Sequence, residues 1–185
     1  MDSYFDIIRK HYETVWSSSS EIYLWDRGPI EKLPSDFRIL VFPPTARRSM
    51  WTYATCGMSQ PDDDFPVELH IFSETKNHQL IELLTSVVYF HRNSKFLGLN
   101  HTVNFGRPWQ YNSKCEFGFI SLPYLDGPEL EKLKAKSIGI EIKFYWLVPV
   151  TRSEVEFKKK YGVLALEDVF DKGFNYLDTE RDSLV

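Results

Sequence analysis

The chain has 185 residues, the length of one ordinary domain. Its net charge of -4 argues against binding to nucleic acid, because that function requires a clustered face of lysine and arginine side chains. No run approaches the roughly 18 apolar residues of a membrane span, and the opening "MDSYFDIIRKHYETVW" lacks signal-peptide features, so we expect a cytoplasmic protein without membrane contact. Two cysteines, Cys56 and Cys115, are too few for a disulfide framework and are expected to be free thiols.

Periodic patterns predict one helix and four strands in the first half of the chain. Apolar residues at helical spacing before the serine run Ser17–Ser20 predict an amphipathic helix that this run ends. The segments "EIYLWD", "FRILVFPP", "MWTYATC" and "FPVELHIF" each favour a strand. In the last of these, Val67 and Leu69 share one face, and Glu68 and His70 share the other.

The second half predicts a helix, three strands and two short helices. The segment "HQLIELLTSVVYFHR" carries the apolar stripe of a core-facing helix, and "HTVNFG", "CEFGFISLP" and "IGIEIKFYWLVPV" favour strands. Thr151 and Glu154 form a TxxE capping box, which predicts a helix start. Gly162 and Gly173 suit the ends of two helices, and the tail "FNYLDTERDSLV" is expected to lie on the surface.

The order of these elements indicates the fold class. Strands occur in runs and helices are segregated from them, which is typical of an α+β fold. We therefore predict a single domain over residues 1–185, with a mixed, mostly antiparallel β-sheet and packed helices.

Cys56, Ser59 and His101 are the candidates for a catalytic role, and the sequence around them favours a structural role for each. Cys56 lacks a neighbouring base and a nucleophile signature, so we interpret it as a packing residue on a half-buried strand. Ser59, before Gln60 and a proline, is interpreted as a turn residue, and His101 as a hydrogen-bonded structural histidine. One alternative stays open, a small hydrolase that pairs His101 with Cys56 or Ser59.

The sequence motifs favour neither a metal site nor a cofactor site. The five histidines and two cysteines occur at none of the HxH, HExxH or CxxC spacings, and the glycines form no phosphate-binding loop. The run Asp62–Asp64 lacks the alternating oxygen ligands and glycine of a calcium loop. We predict no metal and no cofactor, with this run lying in a solvated loop.

Five ordered motifs resemble the bacterial members of the suppressor-of-fused-like domain family. They are "ILVFPPTARRSMWTYATCGMS", "VELHIF", "HTVNFG", "FISLPY" and "FYWLVPVTRSEVEFKKKYGVLALEDVF", and the likeness runs from about Ile39 to Val185. The resemblance implies a mixed α/β domain that binds another protein and carries no cofactor. Single-domain bacterial members of this family include proposed immunity proteins of polymorphic toxin systems.

The resemblance also implies where a partner peptide would bind. Larger animal relatives clamp a short peptide as an added strand, and their contact positions correspond by motif to Tyr53 and Glu68 of this chain. Many relatives carry an acid directly after GMS, whereas this chain has Gln60. Strand alternation allows Tyr53 and Glu68 to point out of the sheet where a peptide strand would add. The alternative is that Tyr53 packs in the core and Glu68 forms a local salt bridge.

We therefore predict a non-enzymatic protein-binding module, with its partner surface around the turn "YATCGMSQPDDDF" and the strand that follows. The predicted contact residues are Tyr53, Ser59, Gln60, Asp62, Asp63, Asp64 and Glu68. The specific hypothesis is an immunity-type protein that neutralises a cognate toxin, because an acidic, aromatic-rich surface suits a basic partner. A general peptide-binding adaptor is the alternative function, and the helical surface near Lys158–Lys160 is the alternative site.

Overall fold

The computed structural model describes residues 3–135 and 139–185, which form one twisted sheet with helices on both faces. The strands are β1 (Glu21–Tyr23), β2 (Arg38–Phe42), β3 (Trp51–Cys56), β4 (Val67–Ser73), β5 (Thr102–Asn104), β6 (Cys115–Ser121), β7 (Lys132–Ala135) and β8 (Ile140–Thr151). The helices are α1 (Tyr4–Trp16), α2 (Gln79–Asn93), α3 (Pro128–Glu131), α4 (Arg152–Tyr161) and α5 (Val163–Phe170), with a 3-10 turn at Ile30–Lys32. Within the described ranges, no helix has the length and apolarity of a membrane span.

The sheet is mixed and mostly antiparallel, so the predicted fold class is confirmed. Its strand order is β1-β2-β3-β4-β8-β6-β5, and β7 pairs with the first half of β8. The one parallel pair in this order joins β4 to β8, with Val67 opposite Lys143 and His70 opposite Trp146. Since β8 also pairs with β6 and β7, it is the central strand of the fold.

Both faces of the sheet are covered by helices. On one face, α2 packs against alternating side chains of β2 to β4 and β8, among them Ile39, Tyr53 and Leu69. On the other face, α1 packs over β2, β3 and β8, and α4 and α5 cover the part nearer β6. Strands covered on both faces are buried along their whole length, and every residue of β4 is buried.

Four features differ from the sequence predictions: α3, β7, the start of the last strand and the C-terminal tail. Helix α3 and strand β7 were not predicted, because each has only four residues and no full period of either pattern. The last strand, predicted from Ile138, begins at Ile140 in the structure, and Ile138 lies outside the described residues. The C-terminal tail packs into the fold, because Phe174 and Tyr176 contact the core under α4 and α5 and Arg181 is buried.

The helix start predicted from the TxxE motif is confirmed. Thr151 is the N-cap of α4, its hydroxyl accepts a hydrogen bond from the Glu154 amide, and the Glu154 carboxylate accepts one from the Thr151 amide. The serine run also ends α1 as predicted, with Ser17 in the left-handed conformation at φ 48°. Helix α4 ends at Tyr161, and Gly162 is its C-cap.

Replacing Thr151 by alanine is expected to lower the free energy of unfolding by about 1 kcal/mol, because the Glu154 amide loses its side-chain acceptor. Urea unfolding followed by circular dichroism measures the change. Thr75→Ala, at an exposed position between β4 and α2, is the matched control and is expected to leave the midpoint unchanged. Equal midpoints for both variants would contradict the role of the cap.

Candidate functional site

The turn that follows β3 is built around the buried carboxylate of Glu68. Its Oε1 accepts hydrogen bonds from the Gly57 amide at 3.1 Å, the Ser59 amide at 3.0 Å and the Ser59 hydroxyl at 2.6 Å. Its Oε2 accepts one from the Thr55 hydroxyl at 2.5 Å. Gly57 has φ +92°, and a Cβ there would lie 3.1 Å from the Cα of Phe37, so this turn requires glycine. The carboxylate therefore fixes the turn from inside.

Helix α1 is tied to the same turn through Tyr4. The Ser59 hydroxyl donates its one hydrogen to Glu68. The Tyr4 hydroxyl, 2.8 Å away, is therefore the donor in its hydrogen bond with the Ser59 oxygen. Burial raises the pKa of Glu68 to about 6, against the lowering effect of its hydrogen bonds with Ser59, Thr55 and Gly57. Burial likewise raises the pKa of Tyr4. The turn is thus part of the hydrogen-bonded interior.

Tyr53 and Glu68 do not point out of the sheet, so the expected exposure of these two side chains is wrong. Both are fully buried, and the Tyr53 hydroxyl accepts a hydrogen bond from the Asn77 amide at 2.6 Å. Ser59 is fully buried as well. Strand β3 lies between β2 and β4, and β4 lies between β3 and β8, so neither offers a free edge to a peptide. The physical reason is that α2 packs on the face that carries Tyr53, and α1 covers the opposite face, on which Glu68 and His70 lie.

The hydrolase alternative required His101 to lie within hydrogen-bond reach of Cys56 or Ser59, and the structure engages each of them elsewhere. The Cys56 thiol is buried and contacts the carbonyl oxygen of Phe5 at 3.5 Å, and burial raises its pKa well above the ordinary value. The Nδ1 atom of His101 accepts a hydrogen bond from the Gly98 amide at 3.2 Å. A neutral, enclosed thiol is a poor nucleophile, so Cys56 is a packing residue.

In the loop after the turn, Asp63 is held by hydrogen bonds, and its neighbours Asp62 and Asp64 are exposed. Asp63 accepts hydrogen bonds from the Gln60 amide at 2.8 Å and from Arg92 of α2, whose Nη1 lies 2.8 and 2.7 Å from its two oxygens. Asp62 and Asp64 are exposed on either side of it. The ion pair between Asp63 and Arg92 holds the loop against α2, and the carboxylates of Asp62 and Asp64 face solvent.

A groove of about 650 Å³ opens beside this loop. Three segments line it: the loop from Asp63 to Val67, the segment from Phe96 to Leu99 after α2, and the beginning of β8. Two phenylalanines stand at it with their rings largely exposed, Phe65 at 72% and Phe96 at 43%, and their centroids are 6.2 Å apart in an edge-to-face arrangement. Large exposed aromatic side chains beside a concave surface are typical of protein interfaces.

Gly98 and the first residues of β8 shape this groove. A Cβ on Gly98 would lie 2.7 Å from the Phe96 ring, so only glycine lets that ring lie over the backbone. The Lys143 amide donates to the Pro66 carbonyl at 2.9 Å, just before β4 begins. The backbone groups of Glu141, two residues earlier, point to the same side, where β4 has not yet started. The groove therefore includes a short stretch of sheet edge.

The groove overlaps the loop that carries part of the predicted surface, and it includes residues that the prediction did not name. Of the predicted contact residues, Gln60 is half-buried beside the loop, and the three aspartates lie in or beside the groove. Phe65 ends the predicted turn but is not among the predicted contact residues, and Phe96 and Tyr145 were not predicted because they come from distant segments. The signal for the first two was a phenylalanine set among polar residues, in "DDDF" and "NSKFLG".

Two further questions from the sequence concern a metal site and the alternative partner surface at Lys158–Lys160. No group of three or more His, Cys, Asp or Glu side chains suited to a metal ion occurs within residues 3–135 and 139–185. On the C-terminal helices, Lys158 lies over the ring of Phe119 at 5.1 Å, and Lys159 pairs with Glu156 at 2.8 Å. Lys160 lies over the ring of Tyr161 at 4.8 Å, so all three lysines of this alternative surface are engaged in contacts within the fold.

Comparisons with known proteins agree on one family. The sequence profile of the family "Suppressor of fused protein (SUFU)" matches residues 34–182. The crystal structure of a SUFU homologue from Neisseria gonorrhoeae superposes with a TM-score of 0.86 at 30% sequence identity, covering 98% of this chain and 97% of that chain. No match was found among curated proteins.

Two further structures share the fold at lower identity. One is from the crystal structure of the Sufu–Fu complex, with a TM-score of 0.69, 14% identity, and coverage of 98% of this chain and 92% of that chain. The other is Drosophila Suppressor of Fused, with a TM-score of 0.62, 14% identity, and coverage of 96% of this chain and 50% of that chain. From the matched profile and the Neisseria structure together, the chain belongs to the suppressor of fused family.

Proposed function

We propose that this chain is a non-enzymatic protein-binding module and that its partner binds in the groove between the acidic loop and the start of β8. The observation that carries the proposal is the pair of exposed rings, Phe65 and Phe96, at a groove of about 650 Å³. Aromatic anchors beside a pocket supply most of the binding energy in typical interfaces. The Sufu protein crystallised in complex with Fu is a relative with a protein partner.

The charge around the groove favours a basic partner. Asp64 lines it and Asp62 lies exposed next to it, whereas Glu141 and Lys143, which also line it, form an ion pair at 2.7 Å and offset each other. Such a field accelerates association with a cationic surface and loses its effect as salt rises. The backbone of Glu141 offers an edge where an extended segment of the partner can pair.

Among basic partners, we propose a cognate toxin, which makes the chain an immunity-type protein. The support is the acidic groove described here, together with the likeness to single-domain bacterial relatives. An adaptor that binds peptides without neutralising a toxin is the alternative. A toxin gene next to the gene for this chain supports the first function, and growth rescue of cells that express that toxin tests it directly.

Replacing both Phe65 and Phe96 by alanine is expected to weaken partner binding by at least about tenfold, because two aromatic anchors are removed. The partner is the product of the neighbouring gene, produced separately, and affinity is measured by calorimetry. Tyr111→Ala, which removes an exposed aromatic side chain outside the groove, is the matched control. Asp62→Asn with Asp64→Asn is expected to lower mainly the association rate and its salt dependence.

Two results would contradict the site. One is an affinity of the double phenylalanine variant equal to that of Tyr111→Ala, with circular dichroism showing both folded. The other is a salt-independent association rate for the unmodified chain. Binding that is lost only on changing Lys159 and Lys160 would move the site to the C-terminal helices.

A further inference from the structure

A second cavity, of about 190 Å³, lies on the opposite face of the sheet, between β8, α5 and the tail that follows α5. Its walls are unusually aromatic, with five rings: Tyr124, Trp146, Phe170, Phe174 and Tyr176. The Trp146 and Tyr176 rings stand at 90° with centroids 5.3 Å apart, which gives the cavity two walls at right angles. Phe174 stacks on Phe170 at 4.6 Å and carries the Arg181 guanidinium over its ring at 5.0 Å, so it supports the wall and does not itself face a ligand.

Two carboxylates complete the lining, Glu167 and Asp171, one turn apart on the α5 side of the cavity. The Tyr124 hydroxyl donates to Glu167 at 3.2 Å, which joins one aromatic wall to one acid. No ion pair between residues within the described ranges involves Glu167 or Asp171. The cavity thus combines aromatic faces with two carboxylates that form no ion pair within the described ranges, and the Arg181 guanidinium, which lies over the Phe174 ring, is paired with Glu154.

This combination selects a cation with little need for hydrogen bonds. The negative faces of aromatic rings attract cations, Trp most strongly, and the attraction grows when the cation loses water. A primary ammonium has three donors to satisfy and is strongly hydrated; the carboxylates at one side of the lining can accept some of these donors, but the ring faces, Leu125 and Val148 offer no acceptor to the rest. A trimethylammonium group has no donor, and its methyl groups pack against rings.

We propose that this cavity binds a quaternary ammonium group, with Tyr124, Trp146 and Tyr176 as its cage and Glu167 and Asp171 as its counter-charges. The site is independent of the groove proposed above, because the two share no residue. It adds a small-cation site to a fold whose proposed function is protein binding.

The test compares choline with 3,3-dimethylbutan-1-ol, which has the same shape and no charge. Each is titrated into the ¹⁵N-labelled full chain, and backbone and indole amide shifts are followed by NMR. Choline is expected to bind about tenfold more tightly than the alcohol, with shifts centred on Trp146 and Tyr176. Nε-trimethyl-lysine amide forms a third arm, and its affinity relative to choline distinguishes a modified side chain from a small molecule as the source of the group.

Matched variants separate charge from shape. Glu167→Gln and Asp171→Asn are each expected to weaken choline binding about threefold and to leave binding of the alcohol unchanged. Asp168→Asn, an exposed acid on the same helix outside the cavity lining, is expected to change neither. Equal affinities for choline and the alcohol would overturn the proposal, as would the absence of shifts at these residues at roughly 10 mM choline, above the range expected for such a site.

Discussion

Replacing Arg181 by alanine is expected to lower the free energy of unfolding by about 3–5 kcal/mol, because it leaves a buried carboxylate without its partner. Glu154 is fully buried, and the two terminal nitrogens of Arg181 donate to its two oxygens at 2.6 and 2.8 Å. The same guanidinium donates to the Pro149 carbonyl at 2.9 Å. The carboxylate also accepts the amide of Leu184 at 3.1 Å, so the pair holds the tail onto α4.

The measurement is urea unfolding followed by circular dichroism. Arg47→Ala removes the same charge at an exposed position and is expected to change the midpoint little. A double variant, Glu154→Gln with Arg181→Met, is expected to lose less stability than Arg181→Ala, because no buried charge remains unpaired. A cost for Arg181→Ala as small as that for Arg47→Ala would show that the ion pair does not hold the tail.

Replacing Glu68 by alanine is expected to cost about 3–5 kcal/mol, because four donors lose their acceptor inside the fold and a cavity replaces the side chain. These donors are the amides of Gly57 and Ser59 and the hydroxyls of Ser59 and Thr55. Glu74→Ala, at an exposed position after β4, is the matched control. A cost below that of an ordinary surface substitution would contradict the role of Glu68 in holding the turn.

Glu68→Gln tests the charge separately, because the amide keeps an acceptor oxygen and its nitrogen donates to the Thr55 hydroxyl. Burial raises the pKa of Glu68 from 4.5 to about 6, so the folded state binds the proton more tightly than the unfolded chain does. The stability from this group is therefore complete below the unfolded value and is lost as pH rises through about 6, a change of about 2 kcal/mol. The unmodified chain is expected to lose this amount relative to Glu68→Gln between acid and neutral pH. A difference that stays constant across that range would contradict it.

Local signals predicted the helices well, because their determinants lie within a few residues. The capping box of Thr151 and Glu154 and the glycine after α4 act on adjacent backbone groups, so the sequence alone identifies them. The strands of the central sheet were also recognised from their alternation. Helix α3 and strand β7 were not predicted, because four residues are too few to show a helical or strand periodicity.

The position of Glu68 could not be read from alternation. A polar residue on every second position predicts a solvent-facing side, but it equally suits an interior face whose polar groups are paired. Here α1 covers that face, and the contacts of Glu68 come from the turn at Gly57 and Ser59. Only the placement of a helix far away in the sequence distinguishes the two cases.

The groove was only partly predictable, because some of its residues are adjacent in the sequence and others come from distant segments. Asp62, Asp63 and Asp64 form one continuous acidic loop that the sequence displays directly. Tyr145 joins it because β4 and β8 pair side by side, and Phe96 joins it because the segment after α2 brings its ring against Phe65. The aromatic cage was concealed in the same way, because Tyr176 and the supporting Phe174 lie in a tail whose other residues are mainly polar.

The parallel pairing of β4 with β8 also governs when the sheet can be completed during synthesis. Strand β4 and its neighbours β1 to β3 leave the ribosome before β8, a delay on the order of several seconds at ordinary elongation rates. During that interval the growing chain carries an open backbone edge along β4, a strand that includes the apolar residues Val67, Leu69 and Ile71. An unpaired apolar edge attracts other nascent chains. Productive folding of this protein in the cell therefore depends on keeping that edge apart from other chains until β8 arrives.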